Sequence, residues 1–201
     1  YAGTLQDAAG LFAARKGEIG RDEFRAYVQR SELHRRYPGI EGVGFSKRLP
    51  SSEREAFVQT VRASGSENFD VWPATQVREY FPIVYLEPPG RRNWAAMGFD
   101  MHSEPVRRAA MERAWATGSP SLSGKVLLKQ EIEQRKQAGF LLYVPVYRDG
   151  DVPGSERERK QELIGFVYAP FRADDFFDGI FGKEVRPRVA FSVYDGSEAQ
   201  P

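Results

Sequence analysis

Two apolar runs, GFLLYVPVYR (139–148) and ELIGFVYAPF (162–171), limit the possible folds of this chain more than any other feature. Both are dense in β-branched and aromatic residues, the side chains that suit a pleated surface. Between them lies DGDVPGSERERKQ (149–161), turn residues with closely alternating charge. Strand, charged connection and strand together predict a hairpin closed by a solvated loop. An earlier run, EYFPIVYLEP (79–88), has the same character, and NFDVWPAT (68–75) and GIEGVGFSKRL (39–49) read as further strands. Pro82 and Pro145 sit inside two of these runs and cannot donate to a ladder, so edges, bulges or bends are expected there.

Helical segments are interleaved with the strands. Leu5, Ala8, Ala9 and Phe12 recur at i, i+3, i+4 and i+7, and RDEFRAYVQRSELHRR (21–36) carries Phe24, Tyr27 and Val28 on one side with acids near its start. Ser52-x-x-Glu55 fits a capping box for a helix carrying Phe57, Val58 and Val61, with Gly65 placed to end it. Ser103 is positioned to cap a helix whose Val106, Ala110 and Ala114 share a face and which Gly118 and Pro120 stop. ADDFFDGIFG (173–182) reads as a short helix, and RPRVAFSVYDG (186–196) opens a strand without a partner. Helices set among antiparallel strands predict an α+β fold.

Composition removes several function classes. Lys and Arg number 29 against 28 Asp and Glu, a net charge of +1, so no overall field draws the chain to nucleic acid. There is no cysteine, hence no disulfide, thiolate nucleophile or Cys-based metal site, and only two histidines. Asp100-x-His102 offers two metal ligands, but nothing nearby supplies a third and fourth. No nucleophile elbow, phosphate-binding loop or dinucleotide fingerprint is present, so neither a catalytic residue nor a cofactor is predicted. No apolar run approaches the length of a membrane span, and the first residue is Tyr1 rather than Met, which reads as a piece cut from a longer protein.

Among the acids, Glu79, Glu87 and Asp100 supply the carboxylates an acid–base hydrolase would need, although Glu79 and Glu87 read as solvent-side residues at strand ends. Asp100 differs. It follows the apolar stretch Ala95–Phe99 and precedes the capped helix, so its carboxylate either faces inward or accepts backbone N–H groups of that first turn. The basic pairs Arg35–Arg36, Arg91–Arg92 and Arg107–Arg108 read as ordinary solvated faces.

The motif GFDMHSE (98–104), the helix ending in Ala116-Thr117-Gly118 and the LxxPVY pattern of 142–147 resemble the CHASE domain, an extracytoplasmic sensor module of histidine kinases and cyclases. The resemblance extends from the LQDAAGLFAA helix through YPGIEGVGFSKRL to RVAFSVYDG. It implies N-terminal stalk helices (1–37), a membrane-distal PAS-like ligand-binding domain (38–171) and an incomplete membrane-proximal PAS-like domain (172–201), each built on an antiparallel sheet. In plant cytokinin receptors of this family the matching aspartate binds the purine N–H groups of the hormone, which makes Asp100 the expected ligand anchor here. Backbone contacts at Leu122 and pocket walls at Val144, Leu163 and Phe166 are implied by the same resemblance. The segment 129–138 is longer and more charged than a compact hairpin needs, and the wall residues differ from the plant pattern, so cytokinin itself is not carried over.

The expected function is a sensory domain in the periplasm or outside the cell, tethered to the membrane through its parent protein. A small molecule at Asp100 would bias an intracellular kinase or cyclase, with homodimer contacts through Leu5, Ala9 and Phe12. The alternative is an interaction domain with a filled cavity that relays a partner protein's signal.

Overall fold

The computed structural model describes residues 1–15, 19–37, 39–132, 134, 136–181 and 194–195. Three helices open the chain: α1 (Ala2–Ala14), α2 (Arg21–Arg30) and α3 (Leu33–Arg36). Strands β1 (Val43–Lys47) and β2 (Leu49–Pro50) lead into α4 (Arg54–Ala63), then β3 (Glu79–Tyr80), β4 (Ile83–Glu87) and α5 (Arg91–Ala96). The principal helix α6 (Pro105–Thr117) precedes β5 (Ser121–Leu122) and β6 (Gly139–Tyr147), and α7 (Glu156–Glu162), β7 (Leu163–Arg172) and α8 (Ala173–Phe181) follow. The main sheet runs β4-β1-β7-β6-β5 with every neighbouring pair antiparallel, while β2 and β3 form a separate two-stranded ladder. This is an α+β architecture.

β6 and β7 form the hairpin that their sequences predict, in register from Gly139↔Arg172 to Val146↔Gly165, with a shift at Val146/Tyr147 beside Pro145. β5 reaches only Tyr143, so Pro145 has a strand on one side alone. Pro82 falls between β3 and β4, next to a second register shift at Phe45/Ser46. Both prolines therefore lie where a missing donor is tolerated.

The pleat sends alternate residues to opposite faces, and both faces are covered. Leu142, Val144, Val146, Val167, Ala169 and Phe171 join Val43 and Phe45 beneath α1, α2 and α4. Leu141, Tyr143, Tyr147, Phe166 and Tyr168 join Ile83 and Leu86 beneath α6, which contributes Ala110, Met111 and Ala114. Burial on both sides explains why these strands are almost continuously apolar.

Several local expectations are revised. α1 is 13 residues long and lies on the sheet, with Leu5 and Phe12 each 1% exposed. The stripe read as a dimer contact is thus occupied within the chain, and only Ala9 stays partly open. NFDVWPAT forms no strand; Trp72 makes a single parallel bridge to Phe99. The 149–161 connection contains α7, started by a capping box between Ser155 and Glu158 and fixed by Arg159, whose guanidinium donates to the Trp115 and Ala116 carbonyls at the end of α6. Ser52 and Glu55 form no box; a short 3-10 turn, Ser51–Glu53, leads into α4 instead. The strand expected at 186–196 lies outside the described residues except for Tyr194 and Asp195, where the Asp195 carboxylate accepts the Lys125 N–H at 2.8 Å.

Candidate functional site

Asp100 is held by a rudimentary ladder. Its N–H donates to the Trp72 carbonyl at 2.7 Å, the Met101 N–H to Phe81 at 3.0 Å and the Ile83 N–H to Phe99 at 3.1 Å. Gly98 makes the approach possible: its φ is +74°, and a Cβ there would lie 1.8 Å from the Asp70 carbonyl oxygen.

The Asp100 side chain is oriented by its own oxygen. Oδ1 accepts the Phe81 N–H at 2.8 Å and the His102 N–H at 3.1 Å. The carboxylate is buried, the residue being 1% exposed, and it caps the 3-10 turn Met101–Ser103 rather than the first turn of α6, as a backbone acceptor there would require. Oδ2 has no hydrogen-bond partner among the described residues. Asp100 is itself one of the residues bordering a cleft of about 330 Å³, together with Thr75, Val77, Glu79, His102 and Arg108. Burial raises the Asp100 pKa against the opposing pull of its two backbone bonds and of His102 and Arg108. Burial also lowers the His102 pKa, although Glu112 sits 3.5 Å from its Nε2.

The cap of α6 is Glu104 rather than Ser103. Its two carboxylate oxygens accept the Val106 and Arg107 N–H groups, each at 3.0 Å, whereas Ser103 Oγ donates to the Asp100 carbonyl at 2.6 Å. The buried face of the helix is Arg107, Ala110, Met111 and Ala114, with Val106 left 37% exposed. Arg107 is consequently no solvated residue: it is 2% exposed, donates to the Leu127 carbonyl at 2.9 Å and packs 5.1 Å from the Phe99 ring centre. The i, i+3, i+4, i+7 spacing of 107, 110, 111 and 114 was the available signal, obscured by an arginine in the first place.

The other residues implied by the family likeness are scattered. Phe166 and Leu163 share the α6-side core with Phe81, whose ring centre is 5.7 Å from that of Phe166 and whose N–H holds Asp100. Val144 faces the α1 side, as its odd spacing from Tyr143 requires. Leu122 lies on the edge strand, 53% exposed, its carbonyl accepting from Arg113 at 2.6 Å. Val144 and Phe166 belong to cores on opposite faces of the sheet, and between α6 and the sheet Tyr143, Phe166, Tyr168, Met101 and Met111 are all fully buried. Within that packing the Tyr143 hydroxyl donates to Met101 Sδ at 3.4 Å, while the Tyr168 hydroxyl and Arg107 Nε have no partner.

The other acids divide. Glu79 borders the same cleft as Asp100, but Arg48 Nε takes its carboxylate at 2.7 Å. Glu87 is not on the solvent side; it is 3% exposed and paired with Arg25 at 3.2 Å. The sequence gives no hint of that pair, because its members are 62 residues apart. Among the described residues no cluster of His, Asp or Glu is arranged to hold a metal, and no helix is long and apolar enough to cross a membrane.

The CHASE domain family model matches residues 17–201, beginning just beyond α1. Hybrid signal transduction histidine kinase A of Dictyostelium discoideum is 26% identical over 147 residues, 66% of this chain and 7% of that protein. Histidine kinase 2 of Arabidopsis thaliana is 25% identical over 195 residues, 88% of this chain and 16% of that protein. The chain thus corresponds to a small part of each kinase. A match running from residue 17 to the last residue decides the family: the chain belongs to the CHASE domain family, extracytoplasmic sensor domains rather than catalytic ones.

Proposed function

We propose that this domain senses a small molecule at the Asp100 cleft and passes the binding event across the membrane to an intracellular histidine kinase. The observation that carries the reading is the division of labour within one carboxylate at the border of the cleft: Oδ1 is anchored by two backbone N–H groups while Oδ2 has no hydrogen-bond partner among the described residues. A carboxylate fixed in this way needs no reordering to accept a bond, and a charge-assisted bond contributes about 1.5–3 kcal/mol. The ligand class that fits presents one or more N–H donors, because Oδ2 is an acceptor and neutral His102 supplies a second polar edge. The two similar kinases favour a kinase over a cyclase as the output. The sheet would be the membrane-distal PAS-like unit, and the chain from residue 172 the start of a second.

A thermal-shift screen of heterocyclic amines and amides with adjacent N–H donors tests this, run on the parent and on Asp100→Asn. Hits that stabilise the parent and not the variant support the site; hits that stabilise both equally remove Asp100 from it.

The row of fully buried side chains between α6 and the sheet favours the second reading, a domain that relays a partner protein's signal without a guest of its own. That reading predicts no hit in the screen and concentration-dependent binding to a purified partner domain.

A further inference from the structure

On the sheet face opposite Asp100, a cleft of about 570 Å³ opens between α2, α4 and strands β1 and β4. Its floor is aromatic: the Phe12 and Phe45 rings stack at 4.1 Å, and Tyr85 lies 6.3 Å from Phe45. The Tyr85 hydroxyl is already satisfied, donating to the Ile19 carbonyl at 2.7 Å, so the floor makes no polar demand.

The rim carries charges of both signs, but they are not equally free. Glu23 is taken by Arg15 and Asp22 by Arg25, which sits 3.4 Å away. Lys47 and Arg21 border the same cleft, and neither has a carboxylate within ion-pair distance among the described residues. Lys47 instead rests its ammonium 5.9 Å from the Phe57 ring centre. An apolar floor beneath a cation with no carboxylate partner among the described residues is complementary to one chemical class, a flat or chain-like apolar body ending in a carboxylate.

We propose that this cleft is a second small-molecule site, independent of Asp100, for an amphipathic carboxylate whose acid pairs with Lys47 and whose apolar body lies on Phe12 and Phe45. The volume falls within the range of small-ligand pockets.

Calorimetric titration with 2-naphthoate tests it, using 2-naphthamide as the uncharged control. Saturable binding of the acid is expected, weakened about tenfold or more in Lys47→Gln and retained in Lys47→Arg. The amide should bind Lys47→Gln and the parent alike. Thr60 is exposed on α4 at the cleft edge, so Thr60→Trp fills the site without touching the core and should abolish binding of both probes. Asp100→Asn should bind 2-naphthoate as the parent does, which separates this site from the one proposed above. Absence of saturable binding, unchanged affinity in both Lys47→Gln and Thr60→Trp, or loss of binding in Asp100→Asn would overturn the proposal.

Discussion

Arg172 Nε lies 2.7 Å from Glu131 Oε1, joining the last residue of β7 to a loop 41 residues earlier in the chain. The Glu131 side chain is 1% exposed, its second oxygen has no partner, and the same guanidinium reaches Asp175 in the first turn of α8 at 2.6 Å. Removing the cation strands a buried carboxylate. Arg172→Met is expected to cost about 3 kcal/mol, and adding Glu131→Gln should restore most of it. Urea unfolding of the parent, the single variant and the double variant checks this; a single variant as stable as the parent would mean that the pair contributes nothing.

Asp100 gives a pH prediction. Because its folded pKa is raised, chiefly by burial, the folded protein holds that proton more tightly than the unfolded chain does. The associated stability is complete below the unfolded value of about 3.9 and is lost as pH rises through the folded one. Asp100→Asn keeps an acceptor for the Phe81 and His102 N–H groups and discards the charge. At neutral pH the variant should therefore melt no lower than the parent, and any advantage should vanish below about pH 4, where the parent carboxyl is neutral too. A variant several degrees less stable at neutral pH would show that the charged form is favoured in place.

Tyr168 carries a hydroxyl enclosed by protein without a hydrogen bond, and burial pushes its phenol pKa well up. Tyr168→Phe should raise stability by about 1 kcal/mol, since it removes a desolvated polar atom and breaks no bond. Tyr143→Phe, which gives up a bond to Met101 Sδ, is the matched comparison and should gain less. Thermal melts of both variants decide the order.

Phe12 packs on the sheet from α1, stacked against Phe45 and 6.1 Å from Phe24. Phe12→Ala is expected to lose about 3–5 kcal/mol. The loss should be the same at low and high protein concentration, because the contact lies within one chain. A loss that grows on dilution would instead place Phe12 between subunits.

The two long strands were legible because β6 and β7 are each buried on both faces, which leaves an apolar run that no solvent-facing helix would carry. α7 was hidden by the opposite condition: ERERKQE buries nothing, so it shows no apolar period, and only the Ser155/Glu158 spacing marked its start. Trp72 looked like a strand residue because bulky aromatics favour sheets, but Pro73 follows it and Phe99 is its lone bridge partner. Asp100 stood out because an acid after five apolar residues is rare enough to notice. Its companions did not, since strand parity separates Val144 from Phe166 and the pairing of Glu87 with Arg25 exists only once α2 has folded against β4.

β7 runs between β1 and β6, touches both interiors through alternate side chains, and passes at Arg172 into α8 at Ala173 without an intervening residue. Phe176 in α8 then packs edge-on against Phe171 and Phe140. Strand and helix are therefore spliced end to end, and the ring contacts of Phe176 seat the first turns of that helix on the very sheet the strand belongs to.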